Sequence, residues 1–125
     1  MWNEVIAAAR ENPCRFKMAA ATYDKSQNKL TVGLAWNSLK KTHPLQKYYA
    51  EKEGCGRKIY LHAEISAIVK SRKRPYYLFV ARVTKAGDIV SAKPCPICMR
   101  AIKEAGIQVV YYTTQKGMIV EMKVI

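Results

Sequence analysis

The stretch Leu61-His62-Ala63-Glu64-Ile65-Ser66-Ala67-Ile68-Val69 carries apolar Leu61, Ile65, Ile68 and Val69 at helical intervals. This spacing predicts a helix from about Tyr60 to Arg72 with His62 and Glu64 in its opening turn. Downstream, Pro94-Cys95-Pro96-Ile97-Cys98 begins a second pattern, with Cys98, Ala101, Ile102 and Ala105 on one face, two prolines at the start and Gly106 at the end. Both motifs therefore fall at helix N-termini. Partial positive charge there favours ionised thiolates and other anions.

The residue types say what such an arrangement can do. His62, Cys95 and Cys98 are three zinc-type ligands, and Glu64 is a carboxylate not needed as a fourth. A structural zinc takes four ligands and no free base. Three ligands leave an open position at which the pKa of water falls from about 15.7 toward roughly 7. A carboxylate beside the metal can then act first as a base and next as an acid. A lone C-x-x-C could equally be half a zinc ribbon or a redox pair, and a lone H-x-E says little; their combination at two helix starts carries the reading. Cys14 and Cys55 have no partner spacing and read as small buried or surface thiols. Cys55 or His43 would matter to the metal only as a fourth ligand that closed the site.

Around these motifs the chain punctuates itself. Trp2, Val5, Ile6 and Ala9 mark an amphipathic first helix ended by Asn12-Pro13. Phe16 to Tyr23 and Leu30 to Trp36 read as strands of a hairpin turned at Asp24-Lys25-Ser26-Gln27-Asn28. A long loop from Asn37 to Lys58 precedes the His62 helix. Strand Tyr76 to Val83, a loop from Thr84 to Pro94, the cysteine helix, strand Ile107 to Tyr112 and strand Met118 to Val124 complete the order. Only Thr113-Thr114-Gln115-Lys116-Gly117 joins the last two strands, and five residues close an antiparallel hairpin but not a parallel crossover. The expected fold class is α/β, a three-layer α/β/α sandwich on a mixed five-stranded sheet ending in an antiparallel hairpin.

Composition limits the alternatives. With 125 residues, 50% of them hydrophobic, and no linker-like segment, residues 1–125 are expected to form one domain. No apolar run approaches the roughly 18 residues of a membrane span, and Met1-Trp2-Asn3-Glu4 lacks a signal peptide's basic and apolar regions. Two cysteines claimed by a metal argue for a reducing compartment, with cytoplasm as the default. Lys plus Arg number 22 against 9 acids, a net charge of +13. Lys40 to Arg74 alone holds ten basic residues against Glu51, Glu53 and Glu64, or +7. Such a surface implies an anionic partner, either a nucleotide phosphate or a nucleic-acid backbone. For Ser71-Arg72-Lys73-Arg74 a solubilising, dipole-complementing helix end is the simpler account.

In His62-Ala63-Glu64 and Pro94-Cys95-Pro96-Ile97-Cys98 the chain resembles the zinc-dependent cytidine and deoxycytidylate deaminase superfamily. The resemblance implies a cytidine deaminase-like fold, Zn²⁺ held by His62, Cys95 and Cys98, and Glu64 as proton shuttle. Ala35-Trp36-Asn37 is similar to the small-aromatic-Asn element of deoxycytidylate and tRNA adenosine deaminases, where the Asn binds a sugar hydroxyl, a role Asn37 inherits. Ala63, Lys40, Lys41, His43 and Tyr112 complete the candidate substrate contacts; Tyr111 or Tyr112 would stack on the substrate while the other packs in the core. The long loop could form a phosphate cradle with an aromatic lid from Tyr48 and Tyr49, or simply pack those rings inward. The short C-terminal hairpin resembles the free cytidine deaminase branch, since deoxycytidylate, tRNA adenosine and polynucleotide cytosine deaminases usually insert a further helix there. The expected function is hydrolytic deamination of a cytosine nucleotide or nucleoside of the CMP/dCMP type. The alternatives are deamination of cytosine or adenine in single-stranded DNA or RNA, and a non-catalytic nucleic-acid-binding module on the zinc fold. Members of this superfamily usually assemble as homo-oligomers, the expectation here too.

Overall fold

A computed structural model describes residues 2–13, 17–25, 34–38, 42–54, 60–71, 74–115 and 117–124. The elements, in chain order, are α1 (Trp2–Glu11), β1 (Lys17–Tyr23), β2 (Ala35–Trp36), α2 (Pro44–Lys52), α3 (Ala63–Lys70), β3 (Tyr77–Val83), β4 (Ile89–Val90), α4 (Pro96–Ala105), β5 (Val109–Thr113) and β6 (Ile119–Lys123). The strands form one mixed sheet in the order β2-β1-β3-β5-β6, and β4 pairs with β3 off that path. Among the described residues β3 and β5 run parallel, with α4 in the crossover between them, and the other strand pairs are antiparallel.

Strand alternation sorts the core into two layers. Ala19, Ala21 and Tyr23 of β1, with Phe79, Ala81 and Val83 of β3, face Val5, Ala8 and Ala9 of α1. The opposite residues, Ala20, Leu78, Val80 and Val110, pack against Ile65 and Ala67 of α3 and against Ile97, Cys98, Ala101 and Ile102 of α4. Three consecutive alanines in β1 let α1 and α3 approach this strand from both sides. Each fully buried Ile or Leu in these layers contributes about 1.5–3 kcal/mol relative to an exposed one. α4 stops at Gly106, whose φ of +83° is left-handed and whose missing Cβ leaves room for the Arg74 guanidinium, 2.8 Å from where that carbon would stand.

The predicted sandwich holds, with three corrections. Among the described residues the sheet has six strands, not five, because the expected loop from Thr84 to Pro94 contains the two-residue β4. The expected loop from Asn37 to Lys58 contains α2, opened by His43 as N-cap and Pro44. The His62 helix is shorter than predicted, starting at Ala63, because Leu61 and His62 stay extended: the Ser38 N–H donates to the Leu61 carbonyl at 2.9 Å, and Thr42 bridges Tyr60. The C-terminal hairpin forms as expected, with β5 and β6 antiparallel. Of the predicted strand Leu30 to Trp36, Ala35 and Trp36 are in β2, and residues 30–33 lie outside the described residues. No helix among the described residues is long and apolar enough to cross a membrane.

Candidate metal centre

Each metal-type side chain sits on a helix N-terminus. His62 is the N-cap of α3 and Cys95 the N-cap of α4, and neither uses its side chain to cap its helix. The first helical bonds are instead accepted by their carbonyls, from Ser66 N–H at 3.0 Å and Met99 N–H at 2.9 Å. The side chains are thereby left to converge. Segment 90–92, just ahead of Cys95, is fixed to the carboxyl end of β5: Ala92 N–H donates to the Thr113 carbonyl at 2.9 Å, and the Thr113 hydroxyl donates to the Val90 carbonyl at 2.8 Å. This brings the α4 N-terminus to the carboxyl ends of the two parallel strands, where open α/β sheets build their sites.

His62 Nδ1 lies 3.2 Å from Cys98 Sγ and 3.6 Å from Cys95 Sγ. The three donor atoms all lie within 4.8 Å of one another, and they are the metal-type cluster found among the described residues. A tetrahedral zinc with Zn–S of about 2.3 Å and Zn–N of about 2.0 Å separates such donors by roughly 3.4–3.8 Å. One imidazole and two thiols at this spacing fit Zn²⁺ in donor set and in size.

The electrostatics suit a cation. A hydrogen bond from Cys98, aided by the nearby His62, lowers the Cys95 thiol to about 4 against the opposing effect of burial. The same hydrogen bond, together with burial, pushes Cys98 up. The pair thus gives up its first proton readily and holds its second. Glu64 is 2% exposed and its Oε1 has no hydrogen-bond partner among the described residues. Burial raises its pKa above the usual carboxylate value; its own backbone N–H and His62 pull the other way, and Cys95 adds to the rise. A buried carboxylate left partly unsatisfied is costly unless a bound species completes it.

The candidate substrate residues fare differently. Ala63 is buried at the first position of α3. Asn37 follows β2, and its Oδ1 accepts from Asn12 Nδ2 at 2.7 Å and from Met18 N–H at 3.2 Å, so it is held by the scaffold. His43 caps α2, its Nδ1 accepting the Leu45 N–H at 3.0 Å, and is not among the metal donors. Tyr112 packs against the α3–α4 core, whereas Tyr111 faces the opposite layer and stacks on Phe79 with centroids 4.9 Å apart. Tyr49 is buried and Tyr48 exposed, with Lys52 Nζ 5.4 Å above the Tyr48 ring. Lys40, Lys41, Cys14 and Cys55 lie outside the described residues.

One residue escaped the sequence reading. Gln46, on α2, is fully buried, and its Oε1 accepts the backbone N–H of His62 at 3.1 Å. The available signal was the His43-Pro44 helix start, which places Gln46 in the first turn of α2.

No curated protein matches the chain at a significant level. Residues 2–114 match the family described as the cytidine and deoxycytidylate deaminase zinc-binding region. That match runs from the start of α1 past the end of β5 and takes in both ligand motifs, so the chain belongs to this family of zinc-binding deaminase domains.

Proposed function

We propose that the protein is a zinc-dependent hydrolytic deaminase that converts a cytosine nucleotide or nucleoside of the CMP/dCMP type to its uracil form with release of ammonia. The observation that carries this reading is Glu64: a buried carboxylate with an unpartnered Oε1, against Cys98 yet outside the donor cluster. A module that only bound nucleic acid would gain nothing from the cost of burying that group.

His62, Cys95 and Cys98 would hold the metal. Zinc, when bound, supplies a Lewis acid that makes water a nucleophile near neutral pH. Glu64 would carry two protons in turn at Oε1. The first passes from the attacking water to the ring nitrogen of the base, and the second from the hydroxyl left on the ring carbon to the departing amine, so that ammonia leaves as the carbonyl forms. Burial raises its pKa above the usual carboxylate value, the direction such an acid–base group needs. Ala63, flush at the start of α3, lets a planar base lie against the backbone. Asn37, held through Oδ1, would offer its amide to a sugar hydroxyl, and Tyr112 packs against the core that α3 and α4 share. Lys40 and Lys41 would supply the positive side for a phosphate, with His43 as a further contact.

The antiparallel β5–β6 hairpin supports a free nucleoside or nucleotide, because the short connection between Thr113 and Ile119 cannot hold the helix that polynucleotide-acting relatives insert there. Tyr60, 49% exposed and two residues before His62, favours a second reading in which the base lies within a single strand and a flanking base stacks on that ring. An ammonia-release screen across nucleosides, nucleotides and oligonucleotides tests both. Turnover of free cytosine nucleotides is the expected result; turnover confined to oligonucleotides supports the second reading.

A further inference from the structure

α2 touches both halves of the metal centre. At its C-terminal end Glu53 Oε2 pairs with Arg100 Nη2 of α4 at 3.0 Å. Tyr49 and Ala50 are buried in the core that α3 and α4 share. At its N-terminal end His43 caps the helix and Pro44 starts it. Between these anchors the buried Gln46 receives the His62 N–H at 3.1 Å.

The leverage of that bond follows from the imidazole atom involved. His62 presents Nδ1, not Nε2, to Cys95 and Cys98. Nδ1 is the ring nitrogen nearer the backbone, with only χ1 and χ2 between it and Cα. A displacement of the His62 backbone therefore reaches the donor atom almost undamped. His62 lies ahead of the first turn of α3, so its own N–H has no partner within the helix and must find one elsewhere. Gln46 supplies that partner.

We propose that Gln46 is a positioning residue for the metal ligand His62, holding its backbone so that Nδ1 stays in register with the two thiols of α4. The inference rests on the zinc reading above and adds to it a residue that touches neither metal nor substrate. α2 then acts as a brace: its ties to α4 fix the cysteine side, and Gln46 fixes the histidine side against it.

The test compares zinc affinity, by competition with a chromogenic chelator, and the ligand-field absorption of the Co²⁺-loaded protein in the parent, Gln46→Leu and Gln46→Glu. Gln46→Leu should weaken zinc binding about 10- to 100-fold, the usual scale for groups that orient a metal ligand, and shift the Co²⁺ bands. Gln46→Glu, which keeps an acceptor oxygen at the same reach, should restore most of both. Val5→Ala, in the opposite core layer, should lower the melting temperature and leave the Co²⁺ spectrum alone. Where Gln46→Leu does not fold, Gln46→Asn, one methylene too short to reach, carries the same expectation. Unchanged affinity and spectrum in a folded Gln46→Leu or Gln46→Asn overturns the proposal while leaving the deaminase reading intact. A parent chain that binds no zinc overturns both.

Discussion

Asn12 Nδ2 donates to Asn37 Oδ1 at 2.7 Å, linking the C-terminal end of α1 to the residue that follows β2. The same Nδ2 donates to the Met18 carbonyl at 2.9 Å, and Met18 N–H donates back to Asn37 Oδ1 at 3.2 Å, closing a ring of three residues. One step along the chain, Ser38 N–H reaches the Leu61 carbonyl, next to His62. Hydrogen bonds and the peptide links between Asn37 and Ser38 and between Leu61 and His62 thus connect the end of α1 to the site.

Asn12→Leu should be costly out of proportion to its size. Asn12 is fully buried, and the substitution removes a donor from the Met18 carbonyl and one of the donors to Asn37 Oδ1, so a loss of about 1–3 kcal/mol is expected. At roughly 4 °C per kcal/mol for a domain of this size, melting falls by about 4–12 °C. Calorimetry measures this, and a change within 1–2 °C (about 0.5 kcal/mol) would show that the ring is dispensable.

Cys95→Ser and Cys98→Ser should each lose zinc, because ligand binding and folding free energy are linked. Cys98 is fully buried among Ile97, Ala101 and Ile102, whereas Cys95 is partly exposed. Cys98→Ser should therefore also lose stability in the metal-free protein, and Cys95→Ser much less. Metal analysis beside thermal melts in a chelator distinguishes the two contributions; full zinc in the double variant contradicts the ligand assignment.

Tyr49 gives a pH signature for the brace. Burial first, then the hydrogen bond to Glu104 and its negative charge, raise the hydroxyl from 10.0 to about 12. The fold favours the neutral phenol, so its contribution is complete below pH 10 and fades as pH rises through about 12. The melting-temperature gap between the parent and Tyr49→Phe should be widest near neutral pH and shrink between about pH 10 and 12. A gap constant across that window would place Tyr49 outside the contact.

The elements that surfaced from sequence and those that did not divide on physical grounds. α3 and α4 were legible because Ile65, Ile68, Ala101 and Ile102 repeat at helical spacing against an apolar core, and the ligands sit at fixed offsets from those repeats. α2 was hidden because its inward face is Gln46, Tyr49 and Ala50, which carries a polar residue where periodicity looks for an aliphatic one. Gln46 is buried to satisfy a backbone N–H 16 residues away, a relationship that no local pattern encodes. β4 is two residues long, too short for alternation to register. Asn37 was singled out by resemblance; that its Oδ1 is held by Asn12 and Met18 needed coordinates.

Salt dependence separates the substrate classes. A mononucleotide engages the basic surface through one phosphate, so raising salt from about 50 to 200 mM should weaken binding only a few-fold. Lys40→Ala and Lys41→Ala should then raise KM more for the monophosphate than for the nucleoside. A polynucleotide would lose binding with a log-log slope near −0.7 per phosphate contact, several-fold steeper in total. Fluorescence titration across that range discriminates the two, and a steep slope contradicts the mononucleotide reading.

Glu64→Gln is the most direct test of the central claim, because it keeps the shape of the buried side chain and removes only its ability to carry a proton. Zinc per chain and melting temperature should match the parent while ammonia release falls by at least about 10²-fold, the scale of a positioned acid–base group. Loss of zinc would make Glu64 a ligand, and turnover at the parent rate would remove it from the chemistry; either result contradicts the mechanism.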